Sequence, residues 1–68
     1  MPLNEVRGGK IIKHVIEKNY EIALYELTNG KYVIGIDIMG DAFIGEPMTD
    51  LGLANFVFDQ KKQALEGH

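Results

Sequence analysis

Four stretches of the chain are rich in apolar residues, and each ends at a turn signal. Tyr20–Leu27 and Tyr32–Met39 flank the pair Asn29-Gly30. Asn-Gly between two apolar runs is a strong hairpin signal, because a two-residue type I′ turn needs positive φ at both central positions. Gly40-Asp41 reads as a second tight turn, with Gly first as type II′ prefers, and Lys18-Asn19 as a third. The pattern predicts an antiparallel meander of three or four strands, at about 10–18, 20–28, 31–39 and 42–46.

The first of these stretches is ambiguous. Ile11, Ile12, Val15 and Ile16 recur at a spacing that suits a helix face. All four are β-branched, two glycines precede them, and no Ser, Thr or Asp stands at a helix start. A strand is favoured. Near the C-terminus the periodicity changes. Pro47 ends the last strand, Thr49 or Asp50 can cap, and a helix is expected over about 50–65. Leu51, Ala54, Val57, Phe58, Ala64 and Leu65 share one side of that helix. Lys61 intrudes on the apolar stripe and Phe56 on the polar side. A strand at 55–58 with a short helix capped by Asp59 is the competing arrangement. The expected fold is α+β, an antiparallel meander with one C-terminal helix. A small SH3-like β-barrel is the runner-up.

A two-residue turn at Asn29-Gly30 sets Leu27 opposite Tyr32, Tyr25 opposite Ile34 and Ala23 opposite Ile36. Lys18-Asn19 sets His14 opposite Ala23. Gly40-Asp41 sets Phe43 opposite Ile38. One face then collects Ile12, His14, Ile16, Ala23, Tyr25, Leu27, Tyr32, Ile34, Ile36, Ile38 and Phe43. The other collects Ile11, Val15, Ile22, Leu24, Val33, Met39, Ala42 and Ile44, interrupted by Lys13, Glu26 and Asp37. A sheet face meeting water should be more polar than this. With one helix to cover two apolar faces, the second face is expected to be an interface. Ile11, Val15, Ile22, Leu24, Val33, Met39 and Ile44 are its candidate residues.

Composition supports that expectation. The 68 residues make one domain, 1–68, whose core is small for its surface. Residues 1–9 end in Arg7-Gly8-Gly9 and read as a flexible lead. Glu66-Gly67-His68 resembles the remnant of a purification tag. The chain has no cysteine, so it has no disulfide and no thiolate metal site. That suits a reducing compartment, and a cytoplasmic location is expected. Small scaffolds without staples commonly gain stability from a partner subunit, so a homodimer is expected, with a further protein partner open. The net charge of −3 gives no broad phosphate-binding footprint. No apolar run reaches membrane-spanning length, and no secretory signal is expected from Met1 to Arg7.

Candidate chemistry is sparse. His14 is the one interior histidine, and Tyr25 is its nearest hydroxyl in the expected register. A core or rim histidine with one hydrogen bond accounts for it more simply than catalysis does. Asp37, Asp41, Glu46 and Asp50 fit turn and helix-cap roles better than a metal loop. Asp37 would face Ile22 and stay at the rim or pair with Lys13. No phosphate loop, nucleophile triad or Cys/His cluster is present. No enzyme activity, cofactor, metal or catalytic residue is therefore expected.

The order of strands followed by a helix is similar to that of HicB-type antitoxin domains, although Ile38-Met39-Gly40-Asp41 stands where that group has a Pro-Gly-Cys segment. The similarity implies an order of elements and carries over no functional residue. The leading functional expectation is a non-enzymatic interaction or regulatory module that self-associates through an apolar sheet face. A second is a small-molecule or peptide binder with a pocket between sheet and helix near His14 and Tyr25. A third, least favoured, is weak nucleic-acid binding through the lysine-edged first strand, with Lys10, Lys13 and Lys18.

Overall fold

Alternation of apolar and polar residues produces four strands, and a capped amphipathic segment produces one helix. The computed structural model describes residues 9–67. Strands β1 (Lys10–Ile16), β2 (Tyr20–Glu26), β3 (Tyr32–Ile38) and β4 (Asp41–Ile44) lie side by side in chain order. Each is antiparallel to its neighbour, and helix α1 (Leu51–Glu66) follows. The sheet is open, so the fold is an α+β meander and not a closed barrel. Residues 1–8 of the expected flexible lead, and His68, lie outside the described residues.

β1 is a strand, and its first apolar doublet has a structural cause. Ile11 faces Tyr25 and Lys13 faces Leu24, so Ile12 is an extra residue at a β-bulge. A bulge breaks the two-residue period, which makes the spacing look helical. Beyond it His14 faces Ala23, as expected, and Glu17 N–H donates to Tyr20 O at 2.8 Å around the Lys18-Asn19 turn.

The two later loops depart from expectation, and one departure matters. The β3–β4 turn is Met39-Gly40, one residue earlier than Gly40-Asp41. Both residues have positive φ, 51° and 95°, which is the type I′ arrangement. Asp37 Oδ1 accepts from Gly40 N–H at 2.9 Å and closes the turn. Asp37 therefore serves the turn and faces Glu21, not Ile22; of the two expected places, the rim or a pairing with Lys13, it takes neither and bonds to the turn instead. Phe43 faces Ile36 instead of Ile38, a slip of two residues that keeps it on the same face.

The β2–β3 loop has three residues, Thr28-Asn29-Gly30. Gly30 N–H donates to Leu27 O at 3.0 Å, and Leu27 N–H donates to Lys31 O at 2.7 Å. Gly30 has φ 83°, while Asn29 is not in the positive-φ region. This is a type I turn followed by a left-handed glycine, the usual three-residue hairpin loop. Asn29 Oδ1 accepts from Lys31 N–H at 3.0 Å and braces it. Leu24 now faces Ile34, and Ala23 faces Gly35. One additional loop residue turns β3 and β4 over relative to β1 and β2.

The face assignments are corrected accordingly. Val15, Ile22, Leu24, Ile34 and Ile36 share one face, and α1 packs on it over β2 and β3. Ile22, Leu24, Ile34, Ala54 and Phe58 are buried there, with Tyr20, Tyr32, Met48, Val57 and Leu65 packed around them. Burial of each large aliphatic contributes roughly 1.5–3 kcal/mol. The opposite face carries a second buried cluster of Ala23, Tyr25 and Val33, with Leu27 against it. Gathering the large aliphatics under the helix explains why the three-residue register prevails.

The helix begins where its cap allows. Asp50 is extended (φ −118°, ψ 124°), and its Oδ2 accepts from Leu53 N–H at 2.7 Å. The competing start at Asp59 is not used. Gly67 N–H donates to Gln63 O at 3.0 Å at the far end. Lys62 Nζ donates to Glu66 Oε2 at 2.8 Å one turn apart. No helix among the described residues is long and apolar enough to cross a membrane.

Candidate interaction surface

The width of the sheet decides which apolar side chains stay uncovered. Strands are spaced about 4.8 Å apart, and a helix with its side chains is about 10–12 Å across. One helix therefore covers about two strands, and α1 covers β2 and β3. β1 and β4 are left as the edges.

The two edges are built differently. On β1, Lys13 leans onto the helix: its Nζ lies 5.3 Å from the Phe58 ring centre and 4.0 Å from Asp59 Oδ1. The side chain thus bridges strand and helix by cation–π and weak ionic attraction. The Ile12 bulge and Lys10 add the irregularity and charge that discourage strand addition. β4 has no lysine and no bulge. All four of its residues are exposed, including Phe43 at 58%.

Helix geometry extends the apolar area on that side. Asp59 points to β1 through Lys13. At about 100° per residue, Leu53 and Val57 then fall on the flank toward β4, and Phe56 turns outward at 60% exposure. Ile38 at the end of β3 and Met39 in the turn are exposed as well, and Ile44, opposite Gly35, is exposed on the face away from the helix. Past β4, Gly45 N–H still donates to Ile34 O at 2.8 Å, and Met48 and Tyr32 exchange two backbone bonds of 2.7 Å. Glu46 and Pro47 lie between these anchors and end the regular strand.

The seven residues expected to form one interface are divided among three places. Val15, Ile22 and Leu24 lie under the helix, the last two at 0% exposure, so they belong to the core. Ile11 and Val33 lie on the opposite face. Ile11 is there because the bulge sets it opposite Tyr25, and Val33 is buried. Met39 is in the turn at 84% exposure, and Ile44 is exposed on β4. The loop parity and the bulge account for the division. Phe43 and Leu53 are exposed residues that the sequence pattern does not single out, whereas Phe56 is exposed as its place on the polar side of the helical wheel implies.

His14 and Tyr25 do share a face, but it is the face away from the helix, so no pocket between sheet and helix forms there. His14 Nε2–H donates to Glu21 Oε2 on the neighbouring strand. Tyr25 is buried, and burial, with the Glu21 charge behind it, raises its hydroxyl pKa. A cleft of about 690 Å³ lies instead where two turns meet the helix C-terminus, lined by Glu17, Lys18, Tyr20, Met39, Leu65 and Glu66. The Tyr20 hydroxyl is buried with no hydrogen-bond partner, and its pKa is raised by burial, then by Glu66 and Glu17. No group of three side chains among the described residues could hold a metal ion. The chain matches no known protein-family model, no curated protein and no solved structure.

Proposed function

We propose that the protein is a non-enzymatic interaction module that self-associates through the apolar surface along β4 and the adjoining flank of α1. The observation that carries this reading is that all four β4 residues are exposed, Phe43 and Ile44 each by more than half, at an edge that has no lysine and no bulge. Large apolar residues exposed at an unprotected edge strand mark an association site more often than the same residues scattered singly do. The reading keeps the expectation of self-association and moves its location from Ile22 and Leu24 to Phe43. Light scattering across a concentration series tests it. A mass that rises toward twice the monomer, and falls back in Phe43→Asp, supports it. A mass that stays monomeric at millimolar protein contradicts it.

A second reading has its own observation. The unpartnered Tyr20 hydroxyl beside the turn-end cleft suits a small ligand with an apolar body and one hydrogen-bonding group. Titration with phenol, followed through the Tyr20 ring signals, tests that reading. Saturable shifts confined to Tyr20, Met39 and Leu65 support it, and no shift refutes it.

A further inference from the structure

The hydrogen-bonding direction of β4 specifies more than an apolar patch. Gly45 N–H points inward to Ile34 O, and the pairs Ile36–Phe43 and Ile38–Asp41 follow in step. Successive residues of a strand aim their backbone groups to opposite sides. Asp41, Phe43 and Gly45 therefore bond to β3, while Ala42 and Ile44 present N–H and C=O to the open edge. Among the described residues no strand lies beyond them.

We infer that a second copy of this chain pairs with that edge by antiparallel strand addition about a two-fold axis through Phe43, joining two four-stranded sheets into one of eight. The inference rests on the reading of β4 as the self-association surface and adds its mode, strand pairing, and its register. The parity of the free backbone groups restricts the register. A two-fold pairing must set an outward residue against an outward residue, which allows Ala42 against Ala42, Ile44 against Ile44, or Ala42 against Ile44. The first sets Asp41 against Phe43 of the second copy. The second sets Ala42 against Glu46. The third makes four backbone hydrogen bonds and sets Ala42 against Ile44 twice, small against large.

That third register also places Phe43 against its own copy at a non-hydrogen-bonded position, where side chains approach most closely. Asp41 then faces Gly45 of the second copy, so no two carboxylates oppose one another across the joint. An axis perpendicular to the sheet puts both helices on the same side. A short foreign strand would gain the backbone bonds but neither the Phe43 pair nor the match of Asp41 to Gly45 on both sides of it. Self-pairing is thus the occupant that uses all the features of this edge.

The absence of native cysteine makes single-cysteine variants clean probes. Antiparallel non-hydrogen-bonded pairs have Cα atoms about 4.5 Å apart, within disulfide reach. Under mild oxidation Phe43→Cys should crosslink to itself. Ala42→Cys and Ile44→Cys should each form no disulfide crosslink alone and crosslink when mixed. Because Phe43→Cys also removes an anchoring ring, amide exchange on the unmodified full chain gives a second measurement. Exchange at Ala42 and Ile44 should slow by about tenfold between dilute and concentrated protein. Self-crosslinking of Ala42→Cys, or concentration-independent exchange at both amides, overturns the inference. Light scattering on the same unmodified chain separates the two levels of failure. If the mass rises with concentration while the Ala42 and Ile44 amides exchange at a constant rate, the chain self-associates and the strand-pairing inference alone is wrong. If the mass also stays monomeric, the surface reading fails as well.

Discussion

Leu24 on β2 and Phe43 on β4 are both large apolar residues on the helix side of the sheet, two strands apart. Leu24 is sealed, and Phe43 is more than half exposed. The face of the sheet does not separate them; their lateral position under a single helix does. A helix about 10 Å across cannot shield a sheet of four strands at about 4.8 Å spacing. The chain spends its cover on β2 and β3, ties β1 to the helix through Lys13, and leaves β4 bare. The central strands hold the fold together, and the last strand is available for contact.

That contrast can be broken at its centre first. Leu24→Ala removes a fully buried side chain from the helix-facing cluster and should cost about 2–5 kcal/mol in urea unfolding. In a domain this small that leaves little native protein. Loss of the cover should cost less. Asp50→Ala removes the acceptor for Leu53 N–H and should destabilise by about 1 kcal/mol, read as a lower denaturation midpoint with unchanged slope.

At the β4 end the expected sign reverses. Met39 sits at φ 51°, where an ordinary side chain is strained and Asn or Gly is preferred. Met39→Asn should stabilise by roughly 1 kcal/mol while leaving the β3–β4 register unchanged. Tyr20 sharpens the same end through pH. Its folded pKa is raised, so the unfolded chain loses the proton first as pH rises past the usual 10. The stability it contributes is complete below that pH and is lost as pH rises through the folded value. Tyr20→Phe should reduce this alkaline loss in pH-dependent thermal unfolding. The smallest effect on stability belongs to Phe43→Asp, within about 0.5 kcal/mol, because the ring is exposed in the single chain.

Local chemistry made much of the fold legible. Pro47 and Asp50 bracketed the helix start, and Lys18-Asn19 placed the first turn. Asn29-Gly30 marked a loop correctly but not its length. The same pair serves a two-residue type I′ turn or the end of a three-residue loop. The two lengths differ by one residue, which inverts the faces of everything downstream. A pattern-level signal for the longer loop was present. The shorter loop leaves two mixed faces, with Asp37 against Ile22, whereas the longer one gathers Val15, Ile22, Leu24, Ile34 and Ile36 together. The Ile11-Ile12 doublet likewise recorded a bulge before it suggested a helix. The bareness of β4 was not legible, because it depends on where the helix settles across the sheet. His14 and Tyr25 were correctly placed on one face, but the helix lies on the other.

The most direct test compares Leu24→Asp with Phe43→Asp, using circular dichroism and light scattering on both. The account predicts that Leu24→Asp loses its folded signal, while Phe43→Asp keeps the native spectrum and becomes monomeric at concentrations where the unaltered chain associates. A folded, monomeric Leu24→Asp beside a still-associated Phe43→Asp would put Leu24 at the contact and Phe43 outside it, and would contradict the account.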